Sequence, residues 1–557
     1  MADFWTWLAA AAPVLVLFVL VASGKVAART SSVLVALLAV LLAVTVFQAP
    51  GQVLGVALGK GLWLGAWILY VVFPAMLLYR LAERAGLARI GGLFEHLFPN
   101  QSENLLVLAW LLPSFVQGVA GFGTPIAVAA PLLVASGWSK ERAVAYSLVG
   151  YHWSVTFGSM GSSYYMAALT AHLPAAAQTV FAHDASLLLA VNCLVAGALV
   201  LLADGGLKGM RAGTPLLLGA GIPMGLTLYA VTSVVPAVGS VSAGAVGFVC
   251  AFALARLRGR RASVEESRVP AAATARATYP GSGGAEGGGA ASEGYGGQGG
   301  DSAPAGQVLS RRRALWLVSP YLYLIAVALA VLLVPQSRAW AATHLVLAPS
   351  FPATTTGRGW HTAAEAAYTP LHLLTHPGTY LLLACLLGYV TYRLTGLWQP
   401  RPAGELVKAW FASVKSSAVS ILSLACVTTV MIQAGMVTRL ARGVESATGW
   451  LYPLFAAAVG GVGSFLTGST TSSNALFSSL QAEVADLLGV AQPVLLAAQT
   501  AGANVGNSLA PVVLLIGIGA VGGGVRMDRV LRKVLLPAAV LLATVTGLTM
   551  LLVTWHG

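Results

Sequence analysis

Charge is what this 557-residue chain has least of: Asp, Glu, Lys and Arg together supply 9% of it, against 57% apolar residues. A shortage that deep excludes a set of soluble domains, whose surfaces need about a quarter of their residues charged. A polytopic helical membrane protein remains. Cysteine is scarce as well: Cys193, Cys250, Cys385 and Cys426 stand singly inside apolar segments, with no metal-type spacing, and are expected to be buried thiols. The chain has no HExxH, no paired Asp motif and no nucleophile-base-acid set. Neither an enzyme nor a metal or other cofactor is expected. No basic stretch precedes the apolar run Trp5 to Val21, which reads as a retained first span and not as a signal peptide. The net charge of +13 does not point to nucleic acid, because Lys and Arg cluster in loops beside apolar runs, as they do on the cytoplasmic side of membrane proteins.

Against this apolar background one polar knot stands out, Phe465 to Phe477, which reads FLTGSTTSSNALF. Ser469, Thr470, Thr471, Ser472, Ser473 and Asn474 follow one another between two apolar arms, Tyr452 to Leu466 and Ala475 to Leu488. Each arm spans roughly 21 Å as helix, too short for a hydrocarbon core of about 30 Å. The stretch is therefore expected to be a re-entrant hairpin with its tip at mid-depth. Subtracting 350 from its numbers lands on FVQGVAGFGTPIA, Phe115 to Ala127. At the same offset TAGANVGNSLAP, 500 to 511, falls opposite GYHWSVTFGSMG, 150 to 161. Interrupted segments at matching places in two halves are the best sequence pointer to a transporter's binding site. A plain packing seam of small residues accounts for one such segment, but less well for two in register.

Twelve full crossings and two re-entrant hairpins can be drawn, giving an all-α fold built as an inverted repeat. Residues 1–257 form the first membrane half, with hairpin 104–136 and a broken span at 142–170. Residues 314–557 form the second, with hairpin 452–488 and a broken span at 491–522. Between them 258–313 is a flexible linker: Gly281 to Gly300 holds 11 glycines and almost nothing that packs. Loop charges, including Lys25, Arg29, Arg80, Arg84, Arg89, Lys140, Arg142, Lys208, Arg211, Arg256 to Arg261, Arg401 and Arg526, mark one face as cytoplasmic. Arg439 and Arg442 are the clustered exceptions. On this path the first hairpin enters from the cytoplasm and the second from outside, both termini are external, and the loop 336–376 is an external cap.

Candidate solute contacts are the tip and break residues: Gly118, Gly121, Gly123 and Thr124 in the first half, and Ser472, Ser473, Asn474, Asn504 and Asn507 in the second. A hairpin aims helix ends at its tip, and a helix N-terminus offers unpaired N–H donors and about half a positive charge. Pro125 suits a first turn and Asn474 an N-cap. Both ends suit a small carboxylate. No Lys or Arg lies within either tip, which argues for a lightly charged solute, since a dicarboxylate or phosphate is usually met by Arg. His152 is the one side chain of the first break that titrates near neutral pH, and so the candidate for proton coupling; a packed histidine bonded to a backbone carbonyl is its alternative. Trp153 is expected to pack.

GVAGFGTPIAVAAPLL at 118 to 133, FGSMG at 157 to 161 and FLTGSTTSSNALFSSLQ at 465 to 481 resemble the lactate permease family of secondary transporters, through nearly the whole chain except the linker. The resemblance implies proton-coupled uptake of lactate or related 2-hydroxymonocarboxylates such as glycolate by a multi-pass protein of the cell membrane, whose partners are the carboxylate, a coupling ion and the bilayer. It also implies an elevator-like scaffold. The family pattern has Glu where this chain has Gln117, Asp where it has Thr470 and Lys where it has Asn507. Two acids and one base are thus missing together. An anion channel or a sodium-coupled carboxylate transporter is the alternative, although a channel would favour a continuous pore over paired closed hairpins.

Overall fold

The computed structural model describes residues 2–23, 26–87, 98, 100–119, 121, 123–266, 311–398 and 402–556. The linker lies outside these from 267 to 310, as do Lys25, Arg89 and Arg401 among the loop charges.

The first half opens with Ala2–Ala22 (α1), Ala28–Thr45 (α2) and Gly51–Ala85 (α3). Next comes a run of Gln101–Leu106 (α4), a π-helical turn Val107–Leu111 and Leu112–Val119 (α5), then the first tip and Thr124–Ala135 (α6). Lys140–Tyr151 (α7) gives way to tight 3-10 turns at His152–Ser154 and Ser159–Gly161 before Ser162–Thr170 (α8). Ala175–Thr232 (α9) and Gly239–Glu266 (α10) follow. The second half runs through Arg311–Leu333 (α11), Pro335–Thr343 (α12), Pro377–Leu394 (α13), Ala403–Gln433 (α14) and Met436–Thr448 (α15). It continues with Tyr452–Thr467 (α16), Thr470–Leu488 (α17), Gln492–Leu509 (α18), Pro511–Ala520 (α19) and Met527–His556 (α20).

This is an all-α membrane architecture. Among the described residues the strands are four two-residue pieces in the 336–376 loop, where Val346–Leu347 pairs with Leu371–His372 and Thr354–Thr355 with His361–Thr362. Nine helices there are long and apolar enough to cross a membrane, ten if the bent pair α18 and α19 counts as one span, against twelve expected crossings. The difference has local causes. The stretch 142–170 is split into helices of 12 and 9 residues. Helix α9 runs 58 residues without interruption by hydrogen bonding, but its backbone departs from helical values at Gly206. Beyond that point Gly213 packs on Leu201, Gly221 on Leu194 and Gly225 on Ala190, so the two arms of α9 lie antiparallel.

Helices α2, α3, α11, α13 and α14 pack on one another, while α4 to α10 pack with α16 to α20. Both groups thus draw on both halves of the sequence. The closest crossing is α16 on α18, where small residues bring backbones together. A Cβ on Gly502 would collide with the carbonyl of Ala457, and one on Gly506 with the carbonyl of Gly461. Gly502→Leu is expected to force the helices apart and lower the melting temperature of the purified protein sharply, since overpacking costs about 1–3 kcal/mol even against yielding side chains. Gly547→Leu, with open space around the glycine, is the control and should melt like the wild type.

The basic loops gather on one face. Arg258 pairs with Glu103, Asn100 donates to the carbonyl of Ala212, Trp138 Nε1 to Asp204 at 3.1 Å, and Lys140 to the carbonyl of Gly523. The cap sits elsewhere. Its Glu365 takes a 2.6 Å bond from buried Lys60 of α3, its Gly357 donates to the carbonyl of Gln48, and its Trp360 indole to the carbonyl of Ile432. Of the four cysteines, all free, Cys250 is half-buried and not buried as expected, because its stretch of α10 is only partly covered.

Candidate functional site

The first tip reverses the chain between α5 and α6, and the second between α16 and α17. Both reversals need a left-handed residue, met by Gly123 (φ 86°) and Gly468 (φ 68°), a region that costs a side chain but not glycine. Both tips abut the same short helix: Gly123 lies against Ile516 and Gly468 against Val512, each on α19. Pro125 and Pro511 occupy first turns, where a missing N–H is no loss.

A cavity of about 30 Å³ lies between the tips and the first break. Four helices begin at it. Gly123 is the N-cap of α6, Ser162 and Ser163 open α8, Ser469 caps α17 with Thr470 and Thr471 as its first residues, and Val513 lies in the first turn of α19. Two of these N-termini come from each half. Together they direct positive dipole ends and backbone donors at one point, which is chemistry suited to an anion. Gln117, Ser159, Asn507, Tyr151, Val155 and Gly468 complete the wall, so among the described residues no carboxylate, imidazole, ammonium or guanidinium lines it. The hydroxyl of Thr470 and the amide oxygen of Asn507 are buried with no hydrogen-bond partner. Such groups cost about 1–3 kcal/mol each when left unmet, which favours an occupant that meets them.

Behind the wall a neutral network ties four helices together. Asn474 Nδ2 donates to the carbonyl of Ser163 at 2.9 Å and to Thr500 Oγ1 at 2.8 Å. Thr156 lies 3.0 Å from Thr500 and donates to Asn504 Oδ1 at 3.0 Å. Ser473 donates to the carbonyl of Gly460, and the hydroxyls of Ser163 and Thr471 meet at 2.9 Å.

The expected site residues therefore divide. Gly123 and Asn507 line the cavity. Gly121 packs beneath it, where a Cβ would collide with Ser159 Oγ, and Thr124 is buried as the first residue of α6. Gly118 packs on the backbone of Val241, while Ser472, Ser473, Asn474 and Asn504 are absent from the wall. Asn474 is not the N-cap: Ser469 is, accepting from the Ser472 N–H, and Asn474 sits one turn into α17. The second break lies at the far end of the expected stretch 500–511. Helix α18 runs unbroken through Asn504 and Asn507 to Leu509 and bends by 48° at Ala510, where Pro511 can supply no N–H. His152 is not on the cavity wall; it is fully buried, with Nδ1 2.9 Å from the carbonyl of Val149 and Nε2 3.5 Å from Asn192. Trp153 is buried, as expected.

Sequence reasoning passed over Ser159, Ser162 and Ser163, although the run GSMGSS mirrors the hydroxyl-rich second tip. The three positions with missing charges, Gln117, Thr470 and Asn507, all face this one cavity.

The L-lactate permease family model matches residues 6–555. The chain belongs to that family. It is 25% identical over 476 residues to an L-lactate permease of Escherichia coli, covering 82% of this chain and 79% of that one. It is 24% identical to an L-lactate permease of Streptococcus iniae, with 78% and 80% covered. A glycolate permease of Escherichia coli is 26% identical over 505 residues, with 87% and 84% covered. Among solved structures, the YdaH transporter of Alcanivorax borkumensis aligns with a TM-score of 0.47 at 14% identity, covering 91% of this chain and 88% of that one. As a family member with many apolar helices, the protein is a multi-pass transporter of the bacterial plasma membrane and not an enzyme.

Proposed function

We propose that the protein is a secondary active transporter of L-lactate, glycolate or a related small 2-hydroxymonocarboxylate, and that the solute binds between the two tips. One observation carries this reading: four helix N-termini, two from each half, open on a cavity walled by hydroxyls and amides. The carboxylate takes the helix N-termini. The 2-hydroxyl has Thr470 and Asn507 as partners. With no guanidinium in the wall, a second carboxylate would go uncompensated, so succinate is a poor solute.

At about 30 Å³ the cavity has room for roughly two waters, less than lactate needs. A carrier that closes around its solute fits this better than a continuous pore does. Two hairpins entering from opposite faces, twelve crossings and an inverted repeat complete the reading; an elevator-like movement is the scaffold behaviour that the family resemblance implies.

Proton symport is the coupling mode implied by the same resemblance. With no titratable acid or imidazole in the wall, His152 behind the first break is the residue to test. Uptake of lactate, glycolate, pyruvate and succinate into proteoliposomes, with proton and sodium gradients imposed separately, tests the whole reading. Saturable uptake with counterflow is expected for the monocarboxylates. His152→Gln is expected to abolish acceleration by an inward proton gradient while leaving solute exchange intact. A full response in that variant would make His152 structural. Acceleration by sodium alone would replace the proton as the coupling ion.

A further inference from the structure

Arg439 and Arg442 break the rule that basic residues collect on the face of the basic loops. The structure gives Arg439 a place. Its Nε donates to Thr6 Oγ1 at 3.0 Å, on α1, and Thr6 forms part of a second cavity, about 470 Å³, far larger than the one between the tips. That volume falls within the range of about 300–1,000 Å³ usual for ligand pockets.

Its walls are almost wholly apolar. Trp5, Leu8, Ala9 and Ala12 follow the one-face spacing of a helix, and Val46 at the end of α2 lies opposite. The short side chains of Ala9 and Ala12 leave the groove open for roughly 10 Å along α1. Phe4, Trp5, Leu15, Phe18 and Val19 of the same helix are exposed, as lipid-facing residues of a spanning helix are. An apolar groove of this kind stays dry, and a membrane offers acyl chains to fill it. At its rim stands Arg358 of the 336–376 loop, exposed and with no ion-pair partner among the described residues. Trp5 at the same end has the amphipathic ring that favours headgroup depth.

We propose that this groove is a site for an anionic phospholipid, with one acyl chain lying along α1 between Leu8, Ala9 and Ala12 and the headgroup phosphate on Arg358. The two needs of such a lipid, an apolar slot and a cation at interface depth, meet here across three separate parts of the chain. A free anion is not the occupant, because apart from Thr6 and Arg358 the walls are apolar and an anion would leave them unfilled. The groove, at the crossing of α1, α2 and the 336–376 loop, shares no wall residue with the cavity between the tips.

The test is lipid retention by the full chain. Protein purified from membranes and exchanged into mixed phosphatidylglycerol and phosphatidylcholine vesicles is re-extracted, and its bound lipid is measured by native mass spectrometry. Phosphatidylglycerol is expected to be retained over phosphatidylcholine by the wild type, and its excess to fall roughly fivefold in Arg358→Ala but not in Arg358→Lys. Ala9→Phe, which fills the slot, is expected to lose both lipids at this site while lactate uptake persists. Equal retention of the two lipids by the wild type, or unchanged retention in both Arg358→Ala and Ala9→Phe, overturns the proposal. A melting curve of each variant separates lost lipid from lost fold.

Discussion

Gln117→Glu is expected to convert a transporter with little pH dependence of its solute site into one that works only in acid. Gln117 is buried on the cavity wall, and among the described residues no cation shares that wall. A carboxylate there would face the solute's carboxylate, and like charges in a closed site cost several kcal/mol. The corresponding loss of affinity at neutral pH is about a hundredfold or more. The sign of the pH effect follows from which form repels the solute: the protonated side chain is neutral and imitates glutamine, so uptake approaches the wild-type level in acid. As pH rises and the carboxyl ionises, uptake is lost. Labelled lactate uptake into proteoliposomes between about pH 5 and 8 measures this. A flat profile at wild-type rate would place Gln117 off the solute's path.

Asn474→Ala is expected to lower uptake tenfold to a hundredfold with the protein still folded. The side chain does not touch the cavity; it holds the backbone of Ser163 and the hydroxyl of Thr500 in place from α17. Removing it leaves a buried carbonyl and a buried hydroxyl without that donor, at about 1–3 kcal/mol. Ser163 opens α8 at the cavity, so a shift there disturbs one of the four converging N-termini. Asn504→Ala removes the bond from Thr156 and should act in the same direction, less strongly. Ser478→Ala is the comparison: that hydroxyl is buried on the same helix but has no partner to lose. Equal uptake in Asn474→Ala and Ser478→Ala would mean that the network only packs.

Much of the site was legible because membranes punish irregular backbone. A glycine or a row of hydroxyls at mid-depth must be matched within the protein, so the two tips could be found from composition alone. The first break was legible on the same ground, from GYHWSVTFGSMG at 150 to 161. The second lies at Ala510 and Pro511, the end of the expected stretch 500–511, while Gly502 and Gly506 within that stretch resemble helix breakers but serve as contact points where α16 crosses α18. Glycine in a membrane helix has both uses, and only the neighbouring helix tells which applies. Asn474 was misread for a related reason, since Ser469 takes the capping role five residues earlier.

The sequence by itself determined that the chain is a helical membrane protein with polar interruptions at two pairs of matching places, because hydropathy and the spacing of such interruptions are properties of the chain in one dimension. It also determined that the tips carry no charge. Only the tertiary structure decided which of the polar residues line the cavity between the tips. Thr470 and Asn474 lie a single turn apart on α17, and Asn504 and Asn507 on α18, yet in each pair one member reaches the cavity wall and the other does not. Each residue along a helix turns the side chain by about 100°, so exposure to a cavity depends on where neighbouring helices stand. The convergence of Gln117, Thr470 and Asn507 has the same origin: they are 353 and 37 residues apart in the chain, and only the packing of two hairpins against one broken helix pair puts them around one space.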